Sequence, residues 1–154
     1  MLNYRSTLNQ YFAYYSALLF FTFISITALP SQAQDNLKDA ELRRNNERAT
    51  DLIKNAKAEA KKERYDAAID FATRALEYSA SKEYAYFERA KIYAAKKDYE
   101  NAVKDYTECI KLGEHQPLYY SARAGVYLAM KKYTDAVTDL TEVIRLNPQS
   151  TSGY

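Results

Sequence analysis

The sequence predicts an all-α fold, a solenoid of antiparallel helix pairs built from three repeats of 34 residues behind an apolar leader. Three observations carry this expectation. Glycine and proline number three each in 154 residues, while Ala, Lys, Glu and Leu are plentiful, a balance that lets helices propagate. Three segments of similar sequence follow one another at a constant interval. Upstream of the second and third of them runs a stretch with Tyr and Ala at i, i+4 and i+7, one face of a helix.

The leader comes first. No charge falls between Arg5 and Asp35, and the interval holds the apolar run from Phe12 to Leu29, closed by Pro30 and the small residues Ser31 and Ala33. A basic start, an apolar stretch, a helix breaker and small residues at a peptidase's two narrow pockets make residues 1–33 a secretory signal peptide cut after Ala33. Cleavage removes Arg5 and lowers the net charge by one from +2. No cysteine follows the run to carry a lipid. The alternative is an uncleaved single-pass anchor. The run matches the ~18–20 residues that span a bilayer. With only Arg5 before it and Lys38, Arg43, Arg44 and Arg48 after it, such an anchor keeps the body cytoplasmic. Pro30 and the Ser-Gln-Ala site favour cleavage, and with it export to a periplasmic or secreted location.

Residues 34–48 are charged and free of Gly and Pro, with only Leu37, Ala40 and Leu42 apolar. They extend the first helix or cap the stack, since terminal units of a solenoid present a polar outer face. Repeats follow at 49–82, 83–116 and 117–150, and residues 151–154 begin a truncated further unit. Tyr65, Tyr99 and Tyr133 keep the 34-residue interval, as do Ala68, Ala102 and Ala136, and Leu76, Ile110 and Ile144. Tyr86, Ala90 and Tyr93 recur as Tyr120, Ala124 and Tyr127. The alanines mark low ridges where paired helices approach closely, and the aromatics fill the grooves beside them as a core stripe. Polar turns such as Lys96-Lys-Asp98 and Lys131-Lys132 join the two helices of a pair.

This pattern resembles the tetratricopeptide repeat, with Tyr120, Ala124, Tyr127, Ala136, Leu140 and Pro148 in the third copy at the family's marked positions. The second copy matches through Tyr86, Ala90, Tyr93, Ala102 and Tyr106, the first through Leu52, Ala56, Ala68 and Ala72. Arg89 and Arg123 depart from the family's Leu, and Glu59 from its Tyr.

Chemistry is sparse. His115 is the single histidine and sits in a Gly-Glu-His-Gln-Pro turn, without the convergent partners that a metal or acid–base site needs. Cys109 falls one residue before Ile110 on the inner stripe of a second helix and reads as a small buried hydrophobe. No catalytic constellation, metal site or cofactor motif is expected, and a net charge of +2 does not point to nucleic acid. The resemblance implies a binding or scaffolding protein instead of an enzyme, with a protein or peptide partner and no small-molecule substrate. In the family the first helices of the pairs line a concave face that holds peptides or a helix. Carried onto this sequence, that face is Ile53 and Lys57 in copy one, Tyr84, Phe87 and Lys91 in copy two, and Leu118, Ser121 and Gly125 in copy three. Family members that hold the acidic C-termini of heat-shock chaperones use a Lys/Asn/Arg clamp there. Ile53, Glu88, Leu118 and Ala122 occupy most of the clamp slots, so that ligand is not expected. The other role in view is a structural segment of a longer or self-associating solenoid. Residues after Pro148 are too few to cover the last helix, so side chains among Val137, Leu140, Val143 and Ile144 are expected to be partly exposed, with the natural product longer or this C-terminal edge paired with another molecule.

Overall fold

The computed structural model describes residues 30–113 and 116–147. Within them the chain is helical, in the order α1 (Ser31–Lys61), α2 (Tyr65–Tyr78), α3 (Lys82–Ala95), α4 (Tyr99–Leu112), α5 (Pro117–Ala129) and α6 (Tyr133–Leu146). The helices pack as antiparallel pairs in the tetratricopeptide manner, as the period implied. The leader's apolar run lies outside the described residues. Among those described, no helix is long and apolar enough to cross a membrane.

The chain divides into two units, residues 1–43 and 44–154. In the first, the described residues are the start of α1, where Ser31, Gln32 and Ala33 form the opening turn. Leu37 and Leu42 there are exposed. Residues 34–48 are continuous with the first helix of the first repeat, so residue 49 begins a repeat without beginning a helix.

In the second unit, alanine sets how close the helices come. Ala56, Ala68, Ala72, Ala75, Ala90, Ala102 and Ala136 are wholly buried, and Ala124 nearly so. A methyl group at a helix contact lets backbones approach until the neighbouring large side chains interlock. One cluster gathers Ile53 and Ala56 of α1, Ala68, Ala72 and Ala75 of α2, and Ala85 and Ile92 of α3. A second gathers Ala90, Ala102, Tyr106 and Val126, spanning α3, α4 and α5.

The turn inside each repeat is the same device three times. Asp98 N–H donates to Tyr93 C=O at 2.9 Å and Lys97 N–H to Ala94 C=O at 3.0 Å, the paired bonds of a Schellman motif. Arg64 and Glu63 bond likewise to Glu59 and Ala60, and Lys132 and Lys131 to Tyr127 and Leu128. The motif needs a left-handed residue, and Glu63, Lys97 and Lys131 hold φ of 60°, 66° and 60°. Glycine takes this conformation without strain, whereas a residue with a Cβ does so at a cost of ~1–2 kcal/mol.

Candidate functional site: the face of the first helices

The candidate face is built on α1, α3 and α5, the first helices of successive pairs. Lys57 of α1 is its pivot. Its ammonium donates to Tyr84 Oη of α3 at 2.8 Å and lies 2.9 Å from Glu88 Oε1. Lys91, one turn on from Phe87, reaches the other oxygen of Glu88 at 3.1 Å. The two cations thus share one carboxylate that is only 5% exposed. Partial burial disfavours the Lys57 ammonium, but the bonds to Tyr84 and Glu88 outweigh it and raise its pKa above the usual 10.5. Each lysine also stands over an aromatic ring, Lys57 at 5.2 Å from Tyr84 and Lys91 at 5.5 Å from Phe87. Beside Lys57 a cavity of about 450 Å³ opens between Thr50, Ile53, Lys54, Lys61 and Tyr84.

The eight residues expected on this face divide by exposure. Tyr84 and Leu118 are apolar and open, at 47% and 57% exposed. Lys57, Lys91, Ser121 and Gly125 are at or near the surface, and a Cβ added at Gly125 meets nothing within 4 Å. Phe87 is half-buried, its ring 5.8 Å from Tyr106 and 5.5 Å from Tyr119, so it joins α3 to α4 and α5 as well as facing outward. Ile53 is buried at 3% and belongs to the core cluster, forming the floor of the cavity. Of the clamp slots, Ile53 is buried, Glu88 is paired by two lysines, and Leu118 is open.

The sequence reading missed a second set of contacts. Arg89 and Arg123, met as departures from Leu, each grip an aspartate sixteen residues on. Arg89 Nε and Nη2 donate to Asp105 at 2.7 and 2.8 Å, and Arg123 Nε and Nη2 to Asp139 at 2.8 and 2.7 Å. The aspartates are 5% and 2% exposed. Bonds to the carboxylates hold both guanidinium groups above their usual pKa against the cost of burial. The stripe Tyr86, Tyr93, Tyr120 and Tyr127, expected as core, is half-buried because it flanks these arginines, with centroids 5.5 to 6.0 Å from the guanidinium carbons. A legible signal existed: the Arg–Asp spacing of sixteen recurs twice.

Cys109 is fully buried, as its place on the inner stripe implied, and its thiol donates to Glu83 C=O at 3.4 Å. His115 lies outside the described residues. Among those described, no group of three or more His, Cys, Asp or Glu is placed to hold a metal ion.

Residues 83–114 and 118–150 match the tetratricopeptide repeat model. No curated protein sequence matches the chain. Solved structures do. The first TPR of Spaghetti (RPAP3) bound to the HSP90 peptide SRMEEVD is 25% identical, with a TM-score of 0.61 over 68% of this chain and 82% of that one. The Arabidopsis OM64 TPR domain is 20% identical, with a TM-score of 0.61 over 70% and 88%. The second TPR domain of human RPAP3, in complex with the HSP70 peptide SGPTIEEVD, is 23% identical, with a TM-score of 0.60 over 71% and 89%. The chain carries tetratricopeptide repeats at residues 83–114 and 118–150, within a fold of the tetratricopeptide type that serves as a protein-interaction scaffold.

Proposed function

We propose that this chain is an exported, non-enzymatic adaptor that holds a segment of another protein on the face of α1, α3 and α5. The observation that carries the reading is the pair Tyr84 and Leu118, large apolar side chains left 47% and 57% exposed beside the Lys57–Glu88–Lys91 cluster. Open apolar anchors rimmed by fixed charges are the chemistry of a peptide-binding surface. Gly125 supports the same face: glycine inside a helix costs about 1 kcal/mol against alanine, and here no neighbour requires it. Its bare backbone leaves room for a ligand to lie close.

The relatives solved with chaperone tails hold peptides ending in EEVD. In this chain Ile53, Glu88, Leu118 and Ala122 fill most of the clamp slots, and Glu88 already engages Lys57. The partner's segment is therefore one with an apolar anchor, not a cluster of terminal carboxylates. Selection of displayed peptides on the immobilised protein tests this, with the Tyr84→Ala/Leu118→Ala variant as counter-target. Peptides retained equally by the variant refute the face. N-terminal mass analysis of protein from its native host tests export: a chain beginning at Gln34 supports it, and an intact Met1 in the membrane fraction refutes it.

A second reading, a structural segment of a longer or self-associating solenoid, draws on the exposed Val137, Leu140 and Ile144 of α6.

A further inference from the structure

Both interior seams between repeats are made in the same way. The second helix of one pair meets the first helix of the next, and an arginine crosses between them. Arg89 of α3 donates through Nη1 to Thr73 Oγ1 of α2 at 3.0 Å, and Arg123 of α5 to Thr107 Oγ1 of α4 at 2.8 Å. At the first seam Ala85 and Ile92 of α3 pack on α2 with Tyr65, Ile69 and Leu76. At the second, Ala122 and Val126 of α5, with Met130 just after it, pack with Tyr99, Val103 and Tyr106 of α4.

Moving α4 on by 34 residues lands on α6. Tyr99, Val103, Tyr106, Thr107 and Ile110 become Tyr133, Val137, Leu140, Thr141 and Ile144. The contrast lies in cover: Tyr106 is 4% exposed, whereas Leu140 is 40%, Ile144 52%, Tyr133 62% and Val137 63%. The Thr141 hydroxyl donates to Val137 C=O as the Thr107 hydroxyl does to Val103 C=O. Its oxygen therefore offers the acceptor that Thr107 gives to Arg123. The outer side of α6 is a third copy of a surface that twice binds the same kind of helix.

We propose that this face of α6 docks a helical hairpin of the interior type presented by a partner protein. The first helix of that hairpin brings an arginine opposite Thr141, with an apolar residue four positions before it, as Ala85 and Tyr119 are, and another three after, as Ile92 and Val126 are. Its second helix brings an aspartate sixteen positions after the arginine, to hold the guanidinium. A second copy of this chain, stacked by its free first helix, lacks this chemistry. There Asp51, Asn55 and Ala58 stand in the places of Ala85, Arg89 and Ile92, and Phe71 stands for Asp105.

The probe is the chain's own hairpin. Residues 117–147 repeated after Ser150 preserve the 34-residue step and set a second Arg123 opposite Thr141. The full chain with this extension is expected to melt several degrees higher than without it. Thr141→Val should lower the melting temperature of the extended chain while barely moving that of the parent. The loss should vanish when the appended arginine is already Leu. In trans, the same hairpin on a soluble carrier should bind the parent, about tenfold more weakly after Thr141→Val, the loss of one charge-assisted hydrogen bond. An extension that gives no rise in melting temperature overturns the proposal, and so does an equal effect of Thr141→Val in both chains. Dimerisation of the parent alone that Val137→Glu abolishes also overturns it, because a second copy is then the occupant.

Discussion

Removing one member of the Arg89–Asp105 pair tests the account of the interior most severely. The two side chains are 16% and 7% exposed, and three donors of the guanidinium are engaged, two by Asp105 and one by Thr73. Breaking a buried pair from one side costs about 3–5 kcal/mol, because the remaining charge is left in a poor solvent. After Asp105→Ala, the cation keeps Thr73 and the rings of Tyr86 and Tyr93, so the lower end, about 3 kcal/mol, is expected. Arg89→Leu strands the carboxylate and should cost as much. Exchanging both for apolar residues of similar volume should come within about 1 kcal/mol of the parent, since replacing such pairs is often neutral. A double-mutant cycle in urea therefore returns a coupling of several kcal/mol, and each single variant melts roughly 6–12 °C lower. Fluorescence and circular dichroism should report one transition, which licenses the free-energy arithmetic. Single costs below about 1 kcal/mol, or strict additivity, refute the claim that this pair is a desolvated unit.

Three other outcomes follow from separate features. Lys97→Gly and Lys131→Gly each relieve a left-handed residue at the Schellman turns, and each should stabilise the chain by about 0.5–1 kcal/mol in thermal melts; destabilisation by either refutes the turn assignment. Gly125→Ala should raise stability by about 0.8–1 kcal/mol in urea unfolding while weakening capture of peptides selected on the α1–α3–α5 face, and unchanged capture separates the glycine from binding. Burial, with lesser contributions from Asp105 and Glu83, pushes the Cys109 thiol up from its ordinary 9.0 to about 12. The unfolded chain loses that proton first, so the associated stability is intact below about pH 9 and fades as pH climbs towards 12. At pH 8 native protein should be inert to a thiol reagent that labels it fully in denaturant, and rapid native labelling refutes the burial.

The places where sequence and structure part company share one cause. Ile53 shares a stripe with Lys57 on paper, yet it sinks into the core because Ala56, Ala68 and Ala72 let α2 close against that side of α1. Glu88 is in sequence only the occupant of a clamp slot, and the fold brings Lys57, thirty-one residues earlier, and Lys91 to either side of it. The tyrosines at 86, 93, 120 and 127 read as hydrophobic filling, and they are instead the walls of two arginine slots.

From sequence alone follow the helices, their pairing and their period, since these rest on local causes: few breakers, apolar residues at helical spacing, and alanines repeating every 34 residues where helices touch. The burial of Cys109 is equally local, because its position in the repeat decides it. Only the tertiary structure decided which charges are spent on one another. Arg89 and Asp105, Arg123 and Asp139, and Lys57 and Glu88 lie on different helices, and a charge's energy depends on distance and desolvation, which a linear pattern does not contain.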